Sequence, residues 1–236
     1  MKDFRLLGCC GLLLTLTVFL ISCSRLPVIK PVGQEATTIQ RCGQPFFDTP
    51  YRFVHTIEVA LPGGGTGTLL GITRLEPLSR AVRSAIVTIE GLLLFDAEYD
   101  KELHVHRALP PFNAEHFAAN MMDDIRLIFL SPAGRPSNVG ILEDGSTICR
   151  YDENQDKIMD VIVHQDDTWV IATYRNRYER LRKISALSVR DRIPGILELT
   201  GFESGRYSLR LTLISVEAGP SEPALPHPEE APGHEQ

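Results

Sequence analysis

Apolar and polar residues alternate along most of the chain between residues 46 and 217, as they do in half-buried β-strands. In residues 53–61 one face carries Phe53, His55, Ile57 and Val59, and the intervening positions include Glu58. Similar stretches recur as far as residue 216, separated by glycine- and proline-rich turns. The pattern predicts about eleven strands.

The period changes once, after Pro110-Pro111. Asn113 is predicted to cap a helix that ends before Pro132. Apolar residues then fall at helical spacing, and Asp123, Asp124 and Arg126 are predicted to lie elsewhere on the helix surface. The apolar positions are Phe117, Met121, Ile125 and Ile128. The sequence therefore predicts one central helix among the strands.

Strands and helices do not alternate, which argues against a doubly wound parallel sheet. An antiparallel sheet of this many strands has to curl to protect its edges and to bury one face. The predicted fold class is mainly β (α+β), in a single domain at residues 46–217.

The first residues have the layout of a bacterial export signal. Lys2 and Arg5 precede an uncharged, leucine-rich run at residues 6–21. The sequence Leu20-Ile21-Ser22-Cys23 resembles the lipobox of bacterial lipoproteins. That resemblance implies removal of residues 1–22, acylation of Cys23 and anchoring in a membrane. An uncleaved signal anchor is the alternative. Ser24 favours the periplasmic face of the outer membrane over retention in the inner membrane.

Two segments outside the domain lack a hydrophobic period. Residues 23–45 are largely polar and are predicted to be a lipidated, flexible tether. Residues 218–236 are acidic and proline-rich, with no lysine or arginine, and are predicted to be a disordered tail. The folded part of the chain therefore lies between them.

Composition narrows the possible functions. The formal charge is −6, with 23% charged and 43% hydrophobic residues, and no basic stripe is present, so nucleic acid is not an expected partner. Beyond the signal and Cys23, only Cys42 and Cys149 remain. An exported protein can oxidise such a pair to a disulfide, and two free thiols are the alternative.

Three stretches carry a resemblance to the LolA/LolB-type lipoprotein carrier fold and to uncharacterised lipoproteins related to it. They are residues 85–96, the Leu109-Pro110-Pro111-Phe112 segment with the helix through residues 123–129, and residues 193–199 followed by the strand 207–213. The resemblance covers residues 46–217. It implies a sheet curled into an incomplete barrel, with an apolar concave face beneath a helical lid.

The resemblance further implies that acyl chains of a lipid or lipoprotein bind in that cavity, in aid of envelope lipid or lipoprotein transfer. The predicted cavity and lid residues are Ile57, Val59, Ile86, Leu94, Phe112, Phe117, Met121 and Ile125. The alternative is that these residues make a filled core, in a non-catalytic scaffolding lipoprotein that binds other envelope proteins. Neither hypothesis calls for a cofactor.

Few residues suggest catalysis or metal binding. His104 and His106 share a strand face and would need His55 or His164 to complete a metal site, so solvent-facing histidines are favoured. Residues 152–156 fail as a calcium loop because Lys157 replaces the required glycine. No nucleophile motif is present, so an enzyme is not expected and a hydrolase ranks last. A basic cluster, interpreted as a solvated face or a contact for anionic headgroups, comprises Arg175, Arg177, Arg180 and Arg182.

Overall fold

The structure is a computed structural model that describes residues 26–60, 64–114, 116–154, 156–203 and 206–219. The predicted signal peptide (residues 1–22), the lipidation site Cys23 and residues 220–236 of the predicted tail lie outside these ranges. Within them, neither helix has the length and apolarity that crossing a bilayer requires.

The described chain contains two helices and twelve strands. The helices are α1 (Glu35–Cys42) and α2 (Phe117–Phe129). The strands of the first half are β1 (Tyr51–Ala60), β2 (Thr66–Glu76), β3 (Ala81–Val87), β4 (Leu93–Asp100), β5 (Glu102–Ala108) and β6 (Asn138–Ile141). Those of the second half are β7 (Thr147–Asn154), β8 (Lys157–Val163), β9 (Trp169–Arg175), β10 (Glu179–Arg190), β11 (Ile193–Gly201) and β12 (Tyr207–Ala218).

All twelve strands form one antiparallel sheet in the order β5-β4-β3-β2-β1-β12-β11-β10-β9-β8-β7-β6. Neighbouring strands in this order are also consecutive in sequence, with one exception. Strand β1 pairs with β12, from Tyr51 opposite Ala218 to Ala60 opposite Ser208. Strands β5 and β6 remain as edges, so the sheet curls without closing into a barrel. The mainly β fold class is confirmed, with twelve strands in place of about eleven.

Alternation along the strands gives the sheet one mainly apolar face. Phe53 on β1 lies in register with Thr73 on β2 and Val216 on β12, and the same face carries Ile184 and Ile171 across the other half. Both helices lie against this face, which is therefore the concave one. Strand β10 extends beyond the predicted end at residue 183, because its pairing with β11 continues to Arg190 opposite Ile193.

Helix α2 begins later than predicted. Asn113 lies in a turn, and the helix starts at Phe117 after His116, whose backbone is left-handed with φ 61°. The residues between β5 and the helix lie in successive turns, which begin at the cis peptide between Pro110 and Pro111. The prediction of Asn113 as the cap is therefore wrong, and its side chain does not cap the helix.

The predicted flexible tether is wrong for the residues that the structure describes. Residues 35–42 form α1, and the disulfide between Cys42 and Cys149 (S–S 2.13 Å) joins that helix to β7. Pro45 and Phe46 are buried. Sequence composition missed this because α1 is largely polar and its only buried residue is the cysteine.

Upstream of α1 the chain forms a strap, residues 26–30, along the convex side of β6–β9. Leu26 packs on Ile158, Ala172 and Tyr174. Lys30 forms both backbone hydrogen bonds of an antiparallel bridge with Ile141, at 2.9 and 3.0 Å. The strap therefore covers part of the free edge of β6.

A buried ion pair holds the strap from below. Arg150 donates from Nε to Asp160 at 2.7 Å and from its second terminal nitrogen to the backbone oxygen of Pro27 at 3.1 Å. Asp160 is fully buried. Burial raises the pKa of Asp160, and the hydrogen bonds and charge of Arg150 act in the opposite direction.

Candidate functional site

The candidate site is the concave face between the two helices. Helix α2 lies over β3, β4 and β5, while α1 lies over β6, β7 and β8. Between them, the middle strands present aliphatic side chains that are only partly buried. On β1, β2 and β12 these are Ile57, Leu69, Leu209 and Leu213. The arrangement is an apolar trough of half-buried side chains.

An aromatic cluster fills the trough beneath the start of α2. The ring centroids of Phe95 and Phe112 are 5.8 Å apart, and Phe112 meets Phe117 edge-on at 5.4 Å. Ile86 and Phe112 are 5% and 7% exposed, so both are packed core residues in this conformation. This part of the predicted cavity is occupied by side chains.

The other predicted lid and cavity residues differ in their surroundings. Phe117, Met121 and Ile125 on α2 and Leu94 on β4 are partly buried against the same cluster, as Ile57 is. Met122, which was not predicted, is 1% exposed and faces the sheet directly. The predicted residues therefore share the concave face, where Val59 lies opposite Leu209 and also borders a second cavity.

That second cavity has a volume of about 600 Å³ and lies where β1, β2, β11 and β12 approach the turns between them. Its charged residues are in register: Glu58 lies opposite Arg210, which lies opposite Glu198 and is ion-paired with it. The hydroxyl-bearing lining residues are Thr66, Thr68, Thr200 and Ser208. Val59, Leu199 and Leu209 also line it, so the cavity is mixed in polarity and shares Leu209 with the trough.

A polar cluster ties α2 to the opposite wall of the trough. Asp124 projects from the helix and accepts a hydrogen bond from Arg182 Nε at 2.8 Å. It also accepts one from the Tyr207 hydroxyl. Arg182 additionally pairs with Glu203. We call Asp124, Arg182, Tyr207 and Glu203 the latch, because it joins α2 to β10 and β12.

Burial and charge act against each other within the latch. Burial raises the pKa of Asp124, whereas Arg182 and Tyr207 act to lower it. Burial alone would lower the pKa of Arg182, but the neighbouring Asp124 carboxylate outweighs it and the pKa is raised. Burial, and then the Asp124 charge, raise the pKa of the Tyr207 hydroxyl. The latch thus depends on keeping all its partners together.

The latch was missed in the sequence, although two signals for it were present. Asp124 follows Met121 by three residues and precedes Ile128 by four, so it lies on the apolar stripe of the helix. Tyr207 alternates with Leu209 and Leu211, which places it on the inward face of β12. The prediction that Asp124 lies away from the apolar face is wrong.

A histidine lies at the far end of the helix. His55 is 2% exposed and stacks on Phe53, with ring centroids 5.9 Å apart, and near Phe129 at 6.3 Å. Burial lowers its pKa to about 4. His55 is therefore neutral at pH 7 and part of the floor beneath α2.

The structure does not assemble the histidines into a metal site. His104 and His106 lie exposed on the edge strand β5, with His106 Nε2 3.6 Å from Glu98, and His55 is buried on the concave face. No group of three metal-binding side chains occurs among the described residues. His164 Nδ1 lies 2.8 Å from the hydroxyl oxygen of Ser146.

The pair Ser146–His164 has the residue types of a nucleophile and base, but its surroundings are those of a turn. Ser146 is 3% exposed, and its backbone N–H donates to Asp144 in the β6–β7 turn at 2.9 Å. The backbone oxygen of His164 accepts from Arg41. A buried hydroxyl has no access to a substrate. The Ser146–His164 bond therefore joins the β6–β7 turn to the β8–β9 turn, and the bond from Arg41 joins the second turn to α1.

The predicted basic cluster is not one solvated face. Arg175 pairs with Glu179 and Glu203, and Arg182 belongs to the latch. Arg180 lies over the rings of Tyr174 and Phe202, at 5.7 and 5.8 Å. Arg177 is exposed in the β9–β10 turn.

No protein-family model matches the sequence, and no curated protein is significantly similar to it. Among solved structures, a LolA superfamily protein from Nitrosomonas europaea superposes with a TM-score of 0.52 and 9% identity, over 78% of this chain and 93% of that one. MucB matches with a TM-score of 0.30 and 12% identity, over 81% of this chain and 61% of that one, a likeness too low to support an argument. The first comparison agrees with the curled sheet and its helices, and this chain therefore has a LolA-like fold.

Proposed function

We propose that this protein is a lipoprotein, anchored through Cys23 at the periplasmic face of the outer membrane, that binds acyl chains in the apolar trough beneath α2. The observation that carries the proposal is the way α2 is held. The polar latch attaches α2 to β10 and β12 on the other side of the trough. The aliphatic side chains of the trough itself stay partly exposed.

Acyl binding follows from the chemistry of such a trough. Each methylene that leaves water contributes about 0.8 kcal/mol, so one chain binds without specific polar contacts. Met121 suits this role because its flexible thioether side chain adapts to different apolar shapes. The LolA-like fold supports the same proposal, since it supplies the curled sheet and the covering helix.

Binding would require α2 to move away from β10 and β12. The packed pair Ile86 and Phe112 fills one end of the trough, so the acyl chain would enter beside Ile57, Leu69 and Leu209, where side chains are half-buried. Transfer of lipid or lipoprotein between envelope sites is the role that this mechanism serves.

The test is direct detection of bound lipid. Native mass spectrometry of the unlipidated chain that begins at Ser24 should show co-purifying lipid, and a fluorescent fatty acid should bind to it. Leu69→Gln in the trough should weaken that binding severalfold, because it places an amide against the chain. The matched variant Ile214→Gln, at a 54% exposed position, should not.

The buried Ile86 and Phe112 favour a second candidate, a scaffolding lipoprotein with a filled core. That candidate predicts no bound lipid, no uptake of fatty acid and a stoichiometric protein partner in envelope extracts. Uptake that is equal in the parent and in Leu69→Gln would also count against the trough as the binding site.

A further inference from the structure

The direction of the strands determines which end of the sheet lies near the predicted anchor. Strands β1, β3, β7, β9 and β11 all finish at one end, which we call the Tyr178 end after the β9–β10 turn found there. The opposite end carries the β2–β3 turn with Leu78, and we call it the Leu78 end. In an antiparallel sheet, alternate turns necessarily lie at opposite ends.

The chain reaches the domain at the Tyr178 end. Leu26 packs on Ile158, the second residue of β8, and on Tyr174, the residue before the last of β9. Cys23 precedes Leu26 by three residues, which span at most about 11 Å of extended chain. Because the strap is held by Arg150 and by the Lys30 bridge, a lipid on Cys23 would have to enter a bilayer within that reach of Leu26.

The β9–β10 turn at this end has the composition of a membrane-contacting turn. Tyr178 is 67% exposed although it is aromatic. Arg177 precedes it, exposed, and no carboxylate within the described ranges forms an ion pair with it. Tyrosine favours the bilayer interface, and arginine favours phosphate headgroups.

The backbone of the turn makes the arginine notable. Asn176 and Arg177 both have positive φ, 52° and 66°, the conformation of a type I′ turn, in which the second position favours glycine. An arginine is sterically disfavoured at that position, and Arg177 forms no ion pair with a described residue that would offset this. Further exposed apolar residues, Ile89 and Leu92, occupy the β3–β4 turn at the same end.

We propose that the Tyr178 end faces the bilayer that holds the anchor, with Tyr178 in the lipid interface and Arg177 on the headgroup phosphates. This inference rests on the proposed lipid anchor at Cys23. It also places the latch next to the membrane, because Arg182 follows Tyr178 by four residues and Tyr207 begins β12 at the same end. Acyl chains would then enter and leave the trough from the membrane side.

The experiment uses mature lipidated protein in vesicles of phosphatidylethanolamine and phosphatidylglycerol. About one lipid in four is the anionic phosphatidylglycerol, which supplies headgroups for Arg177. Tyr178→Trp and Leu78→Trp are compared in vesicles with brominated acyl chains, with the parent as baseline because Trp169 is buried. We expect loss of emission and a blue shift at position 178 and neither at position 78. Equal quenching at both positions, quenching only at 78, or none at 178 overturns the proposal.

The Leu78 end offers a matched charge control. Arg80 also has a positive φ, 60°, in an exposed turn. In the Tyr178→Trp protein, Arg177 is replaced by asparagine, which tolerates a positive φ. Loss of this cation should lower the equilibrium constant for contact between the Tyr178 end and the bilayer about fivefold, which is measured as weaker quenching. Arg80→Asn should leave it unchanged, and an equal effect of both variants overturns the role of Arg177.

Mass spectrometry of the same preparation separates this proposal from the anchor on which it depends. A mass without acyl groups on Cys23 overturns both. An acylated mass with unquenched emission from the Tyr178→Trp protein overturns the membrane-facing surface alone, and fatty-acid binding by the trough is measured independently of either result.

Discussion

Asp124 on α2 and Arg182 on β10 form a buried ion pair across the trough, with Arg182 Nε donating to Asp124 Oδ1 over 2.8 Å. Their side chains are only 11% and 13% exposed. Loss of one partner from such a pair leaves an uncompensated charge in a poorly solvated place. The pair therefore couples the position of α2 to the integrity of the sheet beneath it.

Arg182→Gln should lower the free energy of unfolding by about 3 kcal/mol, because the Asp124 carboxylate loses its cation. Urea denaturation measures this. The double variant Arg182→Gln with Asp124→Asn should recover part of the loss. Arg52→Gln is the control, since its partner Glu217 is 62% exposed and such a pair contributes about 0.5 kcal/mol. Equal losses for Arg182→Gln and Arg52→Gln would show that the latch is not buried in solution.

The same latch should set the rate at which ligand enters the trough. If α2 has to leave β10 and β12 for an acyl chain to bind, Asp124→Asn should speed the uptake of a fluorescent fatty acid in stopped-flow measurements. Asp123→Asn, the same substitution at the neighbouring position of the helix, provides the comparison because the Asp123 side chain is 68% exposed. Unchanged uptake in Asp124→Asn would mean that the latch does not limit entry.

His55 should make stability depend on pH. Its pKa is about 4 in the folded protein and 6.5 in the unfolded chain, so the unfolded state binds more protons between these values. Stability should therefore fall as pH falls from 6.5 to 4, by at most about 3 kcal/mol. Denaturation of the parent and of His55→Gln across this range tests it, and the difference between their slopes isolates the histidine. Burial raises the pKa of Asp124 and Asp160, so these two groups make stability rise as pH falls. Their effect is the same in the parent and in His55→Gln and cancels in the difference. Parallel curves would contradict the assignment.

The disulfide should supply much of the attachment of α1. Cys42 and Cys149 are 107 residues apart, and closing a loop of that length stabilises a protein by roughly 4–5 kcal/mol in the chain-entropy account. The double variant Cys42→Ala with Cys149→Ala should lose that much in urea denaturation. Hydrogen exchange should show α1 opening first, because Cys42 is its only buried residue. Fully protected α1 amides in the variant would refute this account.

Gly140 should be required for the strap. A Cβ at this position would lie 2.2 Å from the backbone oxygen of Lys30 and 2.5 Å from Ile29 Cγ2, so either the strap or β6 has to shift. Gly140→Ala should speed proteolysis within residues 26–34 and weaken protection of the Lys30 amide. Gly67→Ala is the control, because nothing lies within 4 Å of its Cβ. Unchanged cleavage in Gly140→Ala would mean that the strap does not contact β6 in solution.

The sequence by itself determined the mainly β fold class and the faces of its strands. Alternation at Phe53, Ile57 and Val59 follows directly from the two-residue period of a strand, so the concave face could be predicted without tertiary information. The helical period of Phe117, Met121 and Ile125 likewise predicted α2, although its start was misplaced by the turns after the cis proline.

Only the tertiary structure decided which polar residues are buried and which segments are ordered. Asp124 becomes a buried group because Arg182 and Tyr207, 58 and 83 residues away, reach it from strands that the curled sheet brings beneath the helix. Residues 26–45 are ordered because Cys149, Ile141 and Arg150 supply partners that a polar segment lacks within itself. Local pattern records the period of a segment, whereas contacts across the sheet depend on strand order, which no local pattern contains.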